Sequence, residues 1–488
     1  MNDCCALRAG GPGGHEYDLA VIGAGSAGFS AAIIAAKDGA RVALIGHGTI
    51  GGTCVNVGCV PSKTLIRAAE AVHAGQWAGR FPGVTGSASV TDWSALVAAK
   101  EELVTTLRQQ KYADLLSVYE TIDYIEGQAR FVDGAVLVDD VPLRAARTII
   151  ATGAAPAAPD IPGISGVQFL TSTSALELPE RPRSLLVIGG GYIGCELAQL
   201  FARLGSQVTL VTRSRLLPEA EPEVSGALTG YLRDEGIAVR AGLRYREIQQ
   251  TSTGVVLSIE VDGRTERLEA RHVLVATGRK SNTDGLGLVE AGIALDQRGA
   301  IIVDDQMRTA LPGVYAAGDV TNRDAFVYMA AHGAKIAARS ALNGDDLYYD
   351  NRAMPWVVFT DPQVAGVGLA EAAARAAGYD VRISSINLDQ VPRALAARDT
   401  RGLIKLVAEA RTNVLLGGQI LAPEGADAVQ TLVLAIKHGM TVGALAETLF
   451  PYLTTVEALK LAALGFNTDV ARLSCCAGEI RPQDYRTG

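Results

Sequence analysis

Cys54 and Cys59, with four residues between them, stand in the glycine-rich stretch GGTCVNVGCVPSK, Gly51 to Lys63. By type and spacing they are the residues best suited to chemistry. Two thiols this close can cycle between dithiol and disulfide if the backbone between them turns, which Gly58 and its small neighbours permit. The Ala-rich run from Lys63 to Val72 holds neither Pro nor Gly. It predicts a helix with Cys59 near its N-terminus, where the helix dipole favours the thiolate. A zinc half-site or a pair of inert buried cysteines are the alternatives. Zinc would need two further ligands at matching spacing, and none appear nearby.

Those thiols must be positioned by the elements on either side. Tyr17 to Ile22 (YDLAVI) reads as a buried strand, followed at once by GAGSAG and an Ala-rich helix. This is a dinucleotide fingerprint: Gly23 makes the turn, Gly25 lets backbone approach a pyrophosphate, and Gly28 allows close helix–strand packing. The acid expected at the end of the next strand, RVALI, is missing, because those positions hold Gly46 and His47. A second unit follows, with strand Ser184 to Ile188, then GGGYIG at Gly189 to Gly194, then a helix through Arg203. Its next strand, QVTLV, ends in TRSR. Arg213 and Arg215 replace an acid there and suit a 2′-phosphate, so NADPH is expected over NADH. Cys195, inside that helix, reads as an inert packing residue.

The second unit is framed as an insertion. TIIATGAAP, closing the strands that start at Thr121, recurs as VLVATGRKSNT at Val273 to Thr283, which contains Gly278. TALPGVYAAGDV then ends in Gly318–Asp319, a carboxylate suited to a cofactor polyol. Asp92 to Leu116 has helical periodicity and carries Tyr112. From Met354 onward, strands such as LIKLVAE alternate with helices such as Ala426 to His438, and this segment is expected to dimerise. The fold class is α/β: two Rossmann-like dinucleotide-binding domains and a C-terminal α+β dimerisation domain. The expected boundaries are a disordered tail 1–15, a first domain 16–170 with 277–350, a second 171–276, a dimerisation domain 351–470 and a tail 471–488.

Composition limits the function classes. The chain has 488 residues, 48% apolar and 20% charged, with 54 glycines and a net charge of −8. Nucleic acid and anionic membrane surfaces are therefore not expected partners. There is no apolar run of 18 residues and no basic-then-apolar leader, so a cytoplasmic protein is expected. Seven cysteines, an odd number, fit a few functional thiols in a reducing compartment.

In this order, GAGSAG, GGTCVNVGCVPSK, GGGYIG, VATGR and YAAGD resemble the motifs of the pyridine nucleotide–disulfide oxidoreductase family, over nearly the whole chain from Tyr17. The resemblance implies FAD on the first unit, NADPH on the second, and a homodimer whose sites use both subunits. Cys59 would be the thiolate nearest the flavin, Cys54 the exchanging thiol, and Tyr192 the gate on the nicotinamide side. Glu196 would pair with Lys63 beside the flavin. The cofactor contacts expected are Gly23, Gly25, Gly28, Thr53, Lys63, Asp319, Gly189, Gly191, Tyr192, Gly194, Arg213, Arg215 and Gly278.

Disulfide-reducing members carry a C-terminal His-Pro-x-x-x-Glu motif; here Tyr452 holds the histidine's place and Glu457 is retained. PYLTTVEALKLAA with a terminal LSCCAG is similar to members that reduce mercuric ion. That likeness implies Hg(II)–thiol complexes as substrate, collected by Cys475 and Cys476 and passed to Cys54 and Cys59 of the other subunit, with Tyr112 and Tyr452 lining the route. No paired-cysteine metal-binding module precedes the first unit, and Cys4 and Cys5 are candidates to stand in for one.

Overall fold

The computed structural model describes residues 15–344 and 346–470. Cys4, Cys5, Cys475 and Cys476, with both expected tails apart from His15, lie outside the described residues.

YDLAVI forms strand β1 (Tyr17–Ile22), with five of its six residues buried. A near-continuous apolar strand of this kind belongs inside a parallel sheet covered on both faces. After β1 come helix α1 (Ser26–Lys37) and strand β2 (Val42–Gly46), which pairs parallel to β1. The sheet extends on one side to β3 (Ile122–Glu126). On the other it reaches strands Ala145–Ile150 and Val314–Ala316. That last strand arrives only after the second unit, as the framing repeat implies.

The second unit repeats the plan, with parallel strands ordered Ala238–Arg240, Gln207–Val211, Ser184–Ile188 and His272–Val275. Both fingerprints obey one steric rule. Gly23 and Gly189 turn at φ +117° and +123°. A Cβ on Gly28 would lie 1.7 Å from the Gly23 carbonyl oxygen, and one on Gly194 1.8 Å from that of Gly189. Only glycine tolerates so close an approach. The second unit draws in chain ahead of residue 171: Ile161 and Val167 pack with Ile188 and Val211, and Leu170 bridges to Leu274.

The helix expected over Asp92 to Leu116 is interrupted. Helix α2 (Gly52–Asn56) and helix α3 (Cys59–Gln76) carry the cysteines, and α4 (Trp93–Arg108) packs on both. The Asp92 carboxylate caps α4 by accepting from the Ala95 N–H. At Gln109–Ala113 the chain widens into a π-helical turn before α5 (Asp114–Val118). Such turns re-aim side chains and recur at functional sites. Tyr112 lies inside this one.

The C-terminal unit is a five-stranded antiparallel sheet, ordered Pro355–Val358, Gln363–Gly368, Leu415–Ala422, Leu403–Glu409 and Val381–Asn387. Helices Gly425–Lys437, Val442–Glu447 and Glu457–Leu464 supply residues to its core. Two ionic clusters join it to the second unit. Arg401 contacts Glu235, Asp361 and Asp399, and Arg203 shares Glu235 and Asp361. Arg401 also lies 4.5 Å over the ring of Trp77, the residue after α3, and Arg80 donates to the Ala397 carbonyl. Among the described residues, no helix is long and apolar enough to cross a membrane.

The other cluster centres on Lys405, 2% exposed, with Glu371, Glu221 and Glu223 at 2.8, 3.0 and 3.1 Å. Lys405→Met would leave Glu221 buried without its cation. We expect it to cost about 3–5 kcal/mol, read as a lowered midpoint of thermal unfolding. Glu223→Gln, at the half-exposed rim, should cost about 1 kcal/mol or less. Hydrogen bonds from Lys405 help to depress the Glu371 and Glu223 pKa values. Their contribution is therefore present at neutral pH and lost as pH falls through the depressed values.

Candidate active site

The first fingerprint and the cysteine stretch are built against each other. The Gly51 N–H donates to the Ala24 carbonyl at 2.9 Å, and a Cβ on Gly52 would lie 2.6 Å from the Gly25 Cα. The dinucleotide turn thus sets where α2 begins, and α2 carries Cys54. Asn56 ties the loop down, donating to the Ile50 and Gly52 carbonyls and accepting from Arg108 of α4. Cys59 is the first residue of α3, with Gly58 before it.

Both thiols are free. Cys54 is half-buried and Cys59 is exposed to a cleft of about 1280 Å³. The hydrogen bond from the Cys54 thiol holds Cys59 down to about 7; burial and the Glu196 carboxylate oppose this, and the Lys63 ammonium supports it. The same hydrogen bond, with burial, drives the Cys54 pKa far up. One sulfur is thereby prepared as thiolate while its neighbour keeps the proton. The alkylation rate of Cys59 in the dithiol form should rise through a midpoint near pH 7. Cys54→Ala should move that midpoint upward by removing the donor. An unchanged midpoint, followed by mass spectrometry of the labelled peptide, would refute the assignment.

Lys63 and Glu196 meet as expected: Lys63 Nζ lies 2.7 Å from Glu196 Oε2. The other carboxylate oxygen accepts from the Phe359 N–H at 2.9 Å, and Lys63 sits 4.9 Å over the Phe359 ring. The pair therefore joins both nucleotide units to the C-terminal one. Glu196 is the fifth residue of its helix, Tyr192–Arg203, one step past the first turn where it was expected.

The cleft runs from Gly23 and Gly25 past Thr53, Cys54, Cys59 and Lys63 to Asp319 and Tyr192. The glycine cradle at its head, its volume and the polar groups along it fit FAD. Burial raises the Asp319 pKa and the Arg279 cation opposes the rise; their nearest approach is 3.9 Å. Tyr192, pushed up to about 12 by burial, stacks on Trp356 at 5.8 Å and leans on Phe326 at 6.0 Å. Cys195 is fully buried and its thiol donates to the Gly190 carbonyl, as an inert packing residue should.

Tyr112 lies beside the thiol stretch. Its Oη is 3.2 Å from Ser26 Oγ, its ring meets Phe29 edge-on at 5.0 Å, and a Cβ on Gly51 would touch it at 3.2 Å. Burial raises its pKa and the Ser26 hydrogen bond opposes the rise. Tyr452 and Glu457 do not line this cleft in their own chain. Glu457 accepts from the Leu453 N–H at 2.9 Å, fixing a turn in which Leu453 has φ +62° and leaving Tyr452 exposed. The two arginines differ. Both are exposed, but Arg215 donates to the Pro218 and Ala220 carbonyls, both at 2.7 Å. Gly278 turns at φ +129° beside Arg279.

Sequence reasoning missed Arg279, Phe326, Tyr328, Trp356 and Phe359, all but Trp356 lining the cleft. Arg279 stands inside the quoted VATGR motif and was findable there. The aromatic residues gave no signal, because packing alone brings them in.

This chain belongs to the pyridine nucleotide-disulphide oxidoreductase family, which it matches over residues 17–338, with that family's dimerisation domain matching 354–463. Its relatives include the mercuric reductase of Streptomyces lividans, 47% identical over 468 residues, 95% of this chain and 98% of that one. The mercuric reductase of Bacillus cereus is also 47% identical, over 96% of this chain and 74% of its own. Among solved structures, the Cu(II) complex of the HOCl-induced flavoprotein disulfide reductase RclA from Escherichia coli matches with a TM-score of 0.81 at 30% identity. That match covers 92% of this chain and 98% of the other.

Proposed function

We infer that this chain is an FAD- and NADPH-dependent oxidoreductase that reduces Hg(II) to Hg(0). The observation that carries the reading is a pair of soft thiols, one held as thiolate near pH 7, at a cleft whose lining histidine, among the described residues, is His47, which follows β2 and contacts Gln128. Thiolates select soft metal ions, and ligand exchange at mercury needs little proton shuttling. Disulfide reduction needs an acid for the departing thiolate, and Tyr452 in the histidine's place is poorly suited to that.

FAD would be held by the Gly23–Gly28 turn and Asp319, and would supply two-electron transfer between NADPH and the thiol pair. The protein's own part is positional. Tyr192 covers the nicotinamide side and must swing from Trp356 and Phe326 to admit it. Lys63, fixed by Glu196, sets a positive charge near the reacting sulfur. Cys475 and Cys476 of the partner subunit collect Hg(II) and hand it by ligand exchange to Cys54 and Cys59. Tyr112 and the partner subunit's Tyr452 line that transfer, and Glu457 holds the turn on which Tyr452 sits. Overall, NADPH and Hg(II) give NADP⁺, a proton and Hg(0).

A homodimer is supported by the dimerisation-domain match and by exposed Leu434, Leu449, Tyr452 and Leu453 in that unit. We place the reaction in the cytoplasm, with no nucleic-acid or membrane partner. The decisive experiment is Hg(II)-dependent NADPH oxidation with loss of mercury vapour in excess small thiol. Oxidation driven by organic disulfides instead would favour a disulfide reductase, and Hg(II) binding without oxidation a sequestering protein.

Coenzyme preference gives a further expectation. Arg213, exposed beyond the second fingerprint, is free to meet a 2′-phosphate, whereas Arg215 first has two carbonyls to release. Arg213→Ala should cut the NADPH/NADH ratio of kcat/KM by about tenfold or more, about 1.5–3 kcal/mol for a charge-assisted contact. Arg215→Ala should do less. An unaltered ratio in the double variant would end this reading.

A further inference from the structure

We propose that His47 and Gln128 together read the adenosine ribose of the FAD, in place of the acid this chain lacks. The proposal rests on the FAD reading of the first unit. In such units an acid at the end of the second strand accepts from the ribose hydroxyls. Here Gly46 ends β2, and the space above it is filled. A Cβ at this position would lie 2.6 Å from the Tyr124 hydroxyl and 2.8 Å from the Ala24 Cβ. No side chain fits at residue 46 while Tyr124 stands there. Glu126 pairs with Gly46 across the parallel strands, yet it does not line the cleft.

The next residue does line it. His47 Nε2 lies 3.4 Å from Gln128 Nε2, and both side chains border the cleft near the glycine cradle. The loop carrying Gln128 is held by two backbone contacts. The Gly127 N–H donates to the Gly46 carbonyl at 2.9 Å, and the Gln128 N–H donates to Asp139 Oδ1 at 2.9 Å. Where the amide nitrogen faces His47 it donates and a neutral ring accepts at Nε2; with the amide turned over, the two roles exchange. In either arrangement the pair keeps one donor and one acceptor, divided between the other ring nitrogen and the other amide atom. A ribose diol can satisfy both, since each hydroxyl donates and accepts. Two acceptors of one carboxylate are thereby exchanged for an uncharged donor and acceptor drawn from two strands' ends.

The test is a competition in the full-length holoprotein. Equal concentrations of FAD and an FAD lacking the adenosine 2′- or 3′-hydroxyl are equilibrated with it, and the bound flavins are separated and counted. The natural chain should prefer FAD over at least one analogue by about three- to tenfold, one uncharged hydrogen bond's worth. His47→Ala/Gln128→Ala should bring that preference close to unity, each single variant should reduce it, and Glu126→Gln should leave it intact. Because the ratio is read within each protein, general loss of affinity cannot imitate the result. Equal binding of both analogues to the natural chain, or a preference that survives in the double variant, overturns the proposal. A protein that purifies with and binds no FAD would instead overturn the reading beneath it.

Discussion

Replacing Cys59 by serine should abolish Hg(II)-dependent NADPH oxidation, lowering turnover by roughly three orders of magnitude or more. The same change should remove the long-wavelength thiolate-to-flavin band expected when the natural holoprotein takes up two electrons. Both effects follow from the position of Cys59 at the start of α3, where its thiolate is held near pH 7 beside Lys63. Flavin content should not change, because the glycine cradle and Asp319 are untouched. A band that persists in Cys59→Ser would move the charge-transfer donor to another residue.

The second large effect concerns the chain's other cysteine pair. A Cys475→Ala/Cys476→Ala protein should keep its flavin and its NADPH-reducible core pair, yet turn over thiol-complexed Hg(II) poorly. A Cys54→Ala/Cys59→Ala protein should be inactive. A hybrid dimer of the two holds one complete site, with one subunit's core and the other's terminal pair. It should recover roughly half the natural activity per dimer if the sites act independently. A hybrid no more active than its parents would show that the terminal pair serves its own subunit or has no part in turnover.

The parts of the fold legible in the sequence are those governed by short-range constraints. YDLAVI, SLLVI and QVTLV form strands over the residues read for them. YDLAVI and SLLVI each run straight into a glycine turn whose spacing is enforced by backbone contact. The Lys63–Glu196 pair was legible because each residue lay at a fixed offset from a motif. The break in the helix around Tyr112 was not, since a π-helical turn has the same composition as an α-helical one and differs by one residue in its hydrogen bonding. Nor was the engagement of Arg215, which depends on where a later turn, Pro218 to Ala220, brings its carbonyls. That Ile161 and Val167 pack in the core of the second unit was not legible either, because they are too isolated in sequence to announce which core they join.

Helix α3 also acts as a mechanical part. Its 18 residues span about 27 Å. One end bears Cys59. The other meets the C-terminal unit, where Arg401 covers Trp77 and Arg80 holds the Ala397 carbonyl. Over that length a few degrees of tilt at Trp77 would correspond to a displacement of the order of an ångström at the sulfur, which the packing of α3 on α4 and on helix Tyr192–Arg203 resists. Reactions that depend on alignment lose rate steeply over such distances. The C-terminal unit thus meets α3 at both ends, through Arg401 on Trp77 and through Phe359 on Lys63, so an assembly that shifts that unit would reach the thiol's alignment from two sides.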